Sequence, residues 1–524
     1  MMIRPCLGSR AGASLVLAVL LSHCSSGGVD SGSSAEADPA STTTAITPTA
    51  GGLAQVGRGG QPVWRVDAKG NLTKDGVIFR VKGGSWFGLE GRHEPSDDPT
   101  NPGGAPMEQY MGNVFWAPTS RTYKQDAAEF KAMGINLIRL PLVHQTLDAN
   151  DPQGKDPYLK NDKSVKIANS RLALETIIKE LDAVGIQVLL DVHSCSNYVG
   201  WRKGRFDARP PWADADRDNY DFKRENYSCA ASGNPSTVTK THPYNQSLWE
   251  GDLRTLAGLG AKLGVSNIMG IDIFNEPHDY TWAEWKNLID AAYKTINAVN
   301  PNILIFAQGV GTNAGTQDGS PTSVTKVPHG ELASNPNWGE NLFEAGDNPP
   351  TMPKDRLVYS PHTYGPSVFV QKMFMDPAQP ECVGLEGDAA ARAKCKLVID
   401  TKLLRQGWDE HFGYLKAKGY AIVIGEFGGN MEWPKGTASL RDKALWTHIS
   451  DNSIDKQWQE AFVDYLVSAG ITDTIYWSIN PESGDTAGLF TTPYQSGSNE
   501  SAWGTWGPLN QTKMTLVKRL WDAP

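Results

Sequence analysis

The sequence predicts an α/β fold, a (β/α)8 or TIM barrel with long βα-loop insertions, and three observations support this. Short runs of β-branched and apolar residues recur along the chain, with helical patterns between them. The runs number eight, which is the number of parallel strands that closes such a barrel. Segments rich in Pro, Gly, Asn and Asp at 194–243 and 309–356 fit insertions that build the rim of the barrel.

The composition is that of a globular protein. Charged residues make up 20% and hydrophobic residues 40% of 524 residues, which excludes a disordered or fibrous chain. The net charge of −9 argues against a partner that is a polyanion, so no nucleic-acid partner is expected. The 17 tryptophans fit either a core rich in tryptophan or a surface that stacks on ligands.

Residues 1–24 have the pattern of a secretory signal peptide, with two arginines before an apolar run at 11–21. This run is shorter than the ~20 residues that span a bilayer as a helix. Cys24 directly follows the apolar region, as in a bacterial lipoprotein signal, although His23 departs from the small residue that is usual there. We therefore expect export from a bacterial cell, with lipid anchoring at Cys24 and plain secretion as alternatives.

Residues 25–52 are mostly Ser, Thr, Ala, Gly and Pro, so they bury too little apolar surface to fold and predict a flexible linker. The remainder, 53–524, is expected to form one barrel domain that acts as a monomer.

The predicted strands and helices alternate along this domain. The eight apolar runs end near Trp86, Arg139, His193, Glu276, Gln308, His362, Glu426 and Trp477. The main helical patterns cover 123–133, 171–183, 281–299, 401–417 and 457–468. Segments 64–67 and 72–75 predict a hairpin that closes the other end of the barrel. A doubly wound open sheet is the alternative, but the glycines at 83–84 are followed by no helix start of the kind that binds phosphates.

Four cysteines lie beyond the signal, and in an exported protein they suggest disulfides. Cys382 with Cys395 would close a short loop and Cys195 with Cys229 a longer one, but the sequence leaves three pairings open. Zinc is disfavoured because no C-x-x-C pair or nearby histidine pair is present.

An acidic segment has the spacing of a calcium-binding loop, although its sixth position is Asn219 in place of glycine. Its candidate ligands are Asp214, Asp216, Asp218 and Glu225. A solvated acidic loop is the alternative. The sequence lacks the His-x-His or His-Glu-x-x-His sets of metal-dependent hydrolases, so neither a catalytic metal nor a cofactor is expected.

Two glutamates at the ends of predicted strands carry the functional prediction. Glu276 lies in Asn275-Glu276-Pro277, and Glu426 precedes a glycine pair that allows a sharp turn. Parallel barrel strands bring both side chains to one face, where paired carboxylates suit cleavage of a glycosidic bond. Taken alone, each has a plainer interpretation, such as a glutamate that favours a helix dipole.

The predicted neighbours would give the two carboxylates different protonation states. Arg139 and the pair His362 and Tyr364, which share one face of a strand, are expected to favour the charged form of Glu426. The charge of Glu426 would in turn keep the proton on Glu276. Strict alternation turns Asn275 away from Glu276, so both reach the cleft only if the strand end is bulged.

Seven segments in order resemble glycoside hydrolase family 5, the retaining endoglucanases of the clan A barrels, from about Trp64 to the C-terminus. They are GSWFGLE at 84–90, IRLP at 138–141, LDVH at 190–193, FNEP at 274–277, PHTY at 361–364, GEFG at 425–428 and YWS at 476–478. The resemblance implies Glu276 as general acid/base and Glu426 as nucleophile. It also implies a sugar subsite lined by Arg139, His193, Asn275, His362, Tyr364 and Trp477, with Asn275 on the 2-hydroxyl and Trp477 under the ring.

The segment 477–486 is most similar to bacterial endo-β-1,4-glucanases that act on cellulose. A β-mannanase or xyloglucanase of the same family is the alternative, and a carbohydrate-binding barrel without catalysis is the alternative of another class. Further tryptophans are candidates for stacking on distal glucose units or for packing in loops: Trp86, Trp201, Trp212 and Trp282.

Overall fold

The computed structural model describes residues 60–89, 121–142, 144–150, 167–193, 246–277, 281–311, 336–438, 440–493, 502 and 505–524. Its first element is an antiparallel sheet of β1 (Trp64–Val66), β2 (Leu72–Lys74) and β3 (Val77–Ile78). β1 and β2 form the predicted hairpin. β3 extends it without a signal in the sequence, because both of its residues are exposed and show no alternation of burial.

The main sheet consists of parallel strands alone. In chain order these are β4 (Lys82–Ser85), β5 (Leu137–Leu142), β6 (Gln187–Val192), β7 (Ile268–Asp272), β8 (Leu304–Ala307), β9 (Leu357–Tyr359), β10 (Ala421–Ile422), β11 (Ile424–Phe427) and β12 (Thr474–Tyr476). Their spatial order is β10-β9-β8-β7-β6-β5-β4-β12-β11. Each predicted strand is present at its expected place in the chain.

The sheet closes through a single interrupted strand. β10 and β11 are separated only by Val423, whose amide donates to the Tyr359 carbonyl on one side. The next amide, that of Ile424, donates to the Asp473 carbonyl on the other side. One strand therefore pairs with both neighbours and completes eight barrel strands, which confirms the predicted (β/α)8 fold.

The helices are α1 (Tyr123–Met133), α2 (Ser170–Ala183), α3 (Gln246–Ala257), α4 (Leu259–Leu263), α5 (Trp282–Val299), α6 (Gly387–Arg392), α7 (Thr401–Trp408), α8 (Tyr414–Ala417), α9 (Leu440–Leu445), α10 (Ile454–Ala469) and α11 (Gln511–Trp521). A capping box of Thr281 and Glu284 starts α5, in the segment where a helical pattern is predicted. The helix predicted at 401–417 is instead α7 and α8 joined by a π-helical turn, Asp409–Gly413.

The buried hydrophobic residues form two cores. One fills the barrel and includes Trp64 and Leu72 of the N-terminal hairpin, which therefore closes the end where the strands begin. The other lies between the strands and the surrounding helices. Cys382 and Cys395 form a disulfide, one of the pairings that the sequence left open.

Several predictions fall outside the described residues, namely the signal peptide, the linker, the calcium-like loop at 214–225, Cys195, Cys229, Trp201 and Trp212. The insertion at 194–243 also lies there, whereas 336–353 of the second insertion is described as a series of turns. In the described ranges, no helix has the length and apolar character that crossing a membrane requires.

Candidate active site

Arg139 occupies the centre of the site and is fully buried on β5. Its guanidinium lies 3.0 Å from Asp191 and 3.0 Å from Asp272, and it also bonds to Glu426. A buried cation is tolerated only when it has such partners, and a guanidinium offers donors in several directions at once. Arg139 therefore joins three neighbouring strands and Glu426 across the barrel.

The two aspartates beneath the site were not among the predicted residues. Burial raises the pKa of Asp191 to about 7 and the pKa of Asp272 to about 7, against the opposing charge of Arg139. Both lie on strands next to predicted residues, since Asp191 precedes His193 by two positions and Asp272 precedes Asn275 by three. Strand alternation could have found Asp191, because it shares a face with His193.

Glu426 lies on β11, and both of its oxygens accept hydrogen bonds. Oε1 accepts from Nη1 of Arg139, and Oε2 accepts from the Tyr364 hydroxyl at 2.5 Å. Burial raises the pKa of Glu426, whereas Arg139, His193 and the Tyr364 hydrogen bond act in the opposite direction. The surroundings thus provide this carboxylate with donors that favour its charged form.

Glu276 follows β7 in a left-handed backbone conformation with φ of +49°. Such a φ is uncommon for a residue other than glycine, and here the backbone amide is fixed by donation to Oε1 of Gln308 at 2.8 Å. This turn, in place of a simple bulge, allows Asn275 and Glu276 both to face the site. Gln308 is thus another residue of the site, although the sequence predicted it only as the end of a strand.

Burial raises the pKa of Glu276 well above its usual range, and the negative charge of Glu426 adds to this effect. Its side chain retains 20% exposure, compared with 5% for Glu426. The charge of Arg139 lowers the pKa of Glu276 to some extent, but among the described ion pairs its guanidinium bonds to Glu426. Of the two carboxyls, Glu276 is therefore the one that retains its proton to higher pH.

His362 bridges the two glutamates through one ring nitrogen. Nδ1 lies 3.2 Å from Oε1 of Glu276 and 3.4 Å from Oε2 of Glu426. Burial and the charge of Arg139 lower the pKa of His362 well below its usual range, which favours the neutral ring. Glu276, His362 and Glu426 each have one possible ligand atom within 4.8 Å of those of the other two. In the described part of the chain, these three residues could therefore also hold a metal ion.

His193 and Trp477 form one wall of the site. The His193 ring stacks on Trp477 at 5.8 Å between centroids, and its Nδ1 lies 2.8 Å from Oδ2 of Asp191. Burial lowers the pKa of His193 to about 3, so this ring is also neutral. Trp477 stacks on Phe87 as well, at 5.2 Å.

Trp86, a candidate for stacking on sugar or for packing, lies in the core of the structure. Trp86 is fully buried and makes edge-to-face contacts with Tyr123 and Phe130, so it packs between the barrel and α1. Alternation along the chain instead turns the next residue, Phe87, toward Trp477. Trp282 is also buried, and its Nε1 donates to the Asn348 carbonyl. The other predicted residues meet in one place: Arg139, His193, Asn275, Glu276, His362, Tyr364, Glu426 and Trp477.

Comparisons with known proteins identify the family of the chain. Residues 100–483 match the model of the cellulase family, glycosyl hydrolase family 5. The chain is similar to Endoglucanase C of Cellvibrio japonicus, with 56% identity over 466 residues, which cover 88% of this chain and 62% of that protein. It thus spans less than two thirds of that relative. It is also similar to the major extracellular endoglucanase of Xanthomonas campestris pv. campestris, with 27% identity over 86% of this chain and 70% of that protein.

Solved structures show the same fold. The catalytic domain of the major endoglucanase from Xanthomonas campestris pv. campestris superposes with a TM-score of 0.55 and 24% identity, over 87% of this chain and 99% of that chain. A variant of the endocellulase from Pyrococcus horikoshii in complex with cellotetraose has a TM-score of 0.58 and 24% identity, over 88% and 99% of the two chains. Since the family model covers more than half of the sequence, the chain belongs to the cellulase family, glycosyl hydrolase family 5.

Proposed function

We propose that this protein is a retaining endo-β-1,4-glucanase that hydrolyses internal bonds of cellulose or related β-glucans by double displacement. The separation of Glu276 and Glu426 is the main support, since one oxygen of each lies within 4.8 Å of the other. Retaining glycosidases hold their carboxyl groups about 5 to 5.5 Å apart, whereas inverting enzymes separate them by about 6.5 to 9.5 Å to admit a water. The relatives above are named as endoglucanases, which supports an internal site of cleavage.

Glu276 is proposed as the acid and base. Its raised pKa keeps a proton available for the leaving glycosidic oxygen, and its partial exposure leaves it open to substrate. After the first step the same carboxylate, now ionised, removes a proton from the attacking water. His362 touches both glutamates through Nδ1 and holds Glu276 next to the reacting bond.

Glu426 is proposed as the nucleophile. Arg139 and Tyr364 each donate to one of its oxygens, which fixes the plane of the carboxylate and favours its charge. Attack on the anomeric carbon forms a covalent glycosyl-enzyme, and hydrolysis by water then restores the β-configuration.

Asn275 and Trp477 are proposed to hold the sugar. Oδ1 of Asn275 accepts from Nη2 of Arg139 at 2.9 Å, so its Nδ2 is directed toward His193 and the cleft, where it can donate to the 2-hydroxyl. Trp477 offers a flat apolar ring of the type that stacks on the face of a glucose unit.

We also propose that the enzyme is exported. Residues 1–24 would act as the signal peptide and 25–52 as a linker to the catalytic domain at 53–524, and one relative is described as extracellular. Labelling of the expressed protein with radioactive palmitate distinguishes the two forms. Incorporation that is lost in Cys24→Ala indicates a lipid anchor, and a free secreted protein without label indicates plain secretion.

The stereochemistry of the first product tests the mechanism. Proton NMR of early hydrolysis products should show the β-anomer, and an initial α-anomer would refute a covalent intermediate. Glu276→Ala and Glu426→Ala should each remove nearly all hydrolysis, whereas Glu432→Ala, an exposed glutamate, should retain it. Activity within a few-fold of the parent in either active-site variant would refute the roles assigned here.

Substrate choice needs a separate assay. Carboxymethyl cellulose, mixed-linkage glucan, xyloglucan and mannan are compared by viscosity and by release of reducing ends, and a rapid fall in viscosity on cellulose derivatives is expected. Preference for mannan or xyloglucan would replace the cellulase assignment while leaving the retaining chemistry intact. Binding of glucan without release of ends would show a carbohydrate-binding barrel.

A further inference from the structure

The first turns of α10 carry a buried polar pair that the proposed mechanism does not use. Asp455 and Gln459 are both fully buried. Oδ1 of Asp455 accepts from the Ser367 amide at 2.9 Å, and Oδ2 accepts from Nε2 of Gln459 at 2.7 Å. A buried carboxylate is costly unless it is bonded in this way, so the pair calls for an explanation beyond helix packing.

The bonds from Asp455 reach the loop that carries Tyr364 and the loop that follows Glu426 on β11. Ser367 lies three residues after Tyr364, on the loop that follows β9. The Ser367 hydroxyl accepts from the Asn430 amide at 3.0 Å, and Asn430 lies four residues after Glu426. A chain of hydrogen bonds thus joins Asp455 to both loops.

Gln459 extends the chain of hydrogen bonds to the end of β12. Its Oε1 accepts from the Tyr476 hydroxyl at 3.1 Å, and Tyr476 is the residue directly before Trp477. The same hydroxyl accepts from the Gly429 amide, on the loop of Glu426. The helix therefore contacts the segments beyond the sixth and seventh barrel strands and the end of the eighth strand, β12.

Two glycines show how closely these loops press on the helix. A Cβ at Gly365, the residue after Tyr364, would lie 2.6 Å from Oδ1 of Asp455. A Cβ at Gly429 would lie 1.9 Å from Oδ2 of Asp455. Both loops therefore need glycine where they meet the Asp455 carboxylate. The two oxygens of this carboxylate set the distance between the loops.

We propose that Asp455, supported by Gln459, is a positioning residue that holds Tyr364 against Glu426. The inference rests on the proposed function, because it assigns Asp455 a part in aligning the nucleophile. Displacement of catalytic groups by about 1 Å from a remote change can reduce rates by about 100-fold, so a small shift of these loops is sufficient to be measured.

Asp455→Asn tests the proposal because it preserves size but places an amide nitrogen opposite the donating amide of Gln459 or the Ser367 amide. We expect kcat to fall at least about tenfold with KM within about threefold, since the substrate-binding wall remains while the nucleophile is misaligned. Labelling of Glu426 by 2,4-dinitrophenyl 2-deoxy-2-fluoro-β-cellobioside, followed by mass spectrometry, should slow in parallel.

Asp290→Asn is the matched control. Asp290 is also a buried helical aspartate, and it accepts from the amides of Thr351 and Met352, which precede β9 at the other end of the barrel. This variant should lose stability without losing kcat. Should Asp455→Asn fail to fold, Ser367→Ala is the second test. It removes the bonds of the Ser367 hydroxyl to Asn430 and to Asp455 and should lower kcat by about fivefold.

The outcomes separate the two levels of the proposal. The positioning role is overturned if folded Asp455→Asn, or Ser367→Ala in its place, keeps kcat within twofold of the parent. It is also overturned if Asp290→Asn loses as much kcat as Asp455→Asn. If the parent protein itself neither hydrolyses β-glucan nor is labelled at Glu426, the proposed function fails and the positioning role fails with it.

Discussion

Replacing Tyr364 with phenylalanine removes one hydroxyl and leaves the ring in place. That hydroxyl donates to Oε2 of Glu426 at 2.5 Å, a length typical of a hydrogen bond from a neutral donor to a charged carboxylate. The other oxygen of Glu426 is held by Arg139. The variant therefore frees one of two points that fix the proposed nucleophile.

The expected loss follows from the strength of such a bond. A hydrogen bond to a charged group contributes about 1.5 to 3 kcal/mol. Because about 1.4 kcal/mol corresponds to a tenfold change in rate, kcat/KM should fall by about 10- to 150-fold. The bond is short and buried, which favours the upper part of that range.

The pH dependence gives a second readout with a definite sign. The Tyr364 hydroxyl stabilises the charged form and so lowers the pKa of Glu426 against the effect of burial. Its removal raises that pKa. Since attack requires the ionised carboxylate, the acid limb of kcat/KM should move to higher pH, while the alkaline limb, which reflects Glu276, should stay in place.

Initial rates on an aryl β-cellobioside from acid to alkaline pH measure both effects. Tyr359→Phe is the control, because among the described residues the Tyr359 hydroxyl has no hydrogen-bond partner and the ring is equally buried on β9. A folded Tyr364→Phe with kcat/KM within threefold of the parent, or with an acid limb moved to lower pH, would show that Tyr364 does not support Glu426.

Three further predictions concern other parts of the molecule. Burial and nearby charge raise the pKa of Glu276, so activity should fall at alkaline pH as Glu276 loses its proton. Glu276→Gln should abolish this alkaline limb of the pH profile in the burst phase with a dinitrophenyl cellobioside. An unchanged alkaline limb would assign the acid to another residue. Replacing Cys382 and Cys395 with serine opens a short loop and should lower the free energy of unfolding by about 3 kcal/mol, measured in urea; an unchanged midpoint would contradict this. Trp86→Phe should lower the free energy of unfolding by about 1 to 3 kcal/mol without changing KM, and a raised KM at unchanged stability would return Trp86 to the cleft.

The barrel was predictable because its strands and helices carry local periodic patterns. Predicted and observed helices agree closely at 123–133, where a capping box and an apolar face lie within one segment. The exceptions are features set by distant contacts. The break at Val423 depends on pairing with both neighbouring strands, and the π-helical turn at Asp409–Gly413 interrupts a helical pattern that continues through it.

The site was predictable where side chains end strands and unpredictable where contacts cross the barrel. Glu276 and Glu426 are marked by their place after apolar runs, but Asp272 is recognisable only once Arg139 reaches it from another strand. The place of Trp86 was difficult to predict for a similar reason. A strand turns successive side chains to opposite faces, so an uncertainty of one residue in its register exchanges Trp86, which packs against α1, for Phe87, which packs against Trp477.

Charge balance explains why the two glutamates differ in protonation. Asp191, Asp272, Glu276 and Glu426 are gathered around the single guanidinium of Arg139, and the histidines of the site are neutral because burial lowers their pKa. One positive charge cannot offset four buried carboxylates, so the group must retain protons near neutral pH. Glu426 bonds directly to Arg139, whereas burial and the charge of Glu426 dominate at Glu276. The cation therefore does more than hold the proposed nucleophile. By stabilising charge on Glu426, it leaves the proton on Glu276.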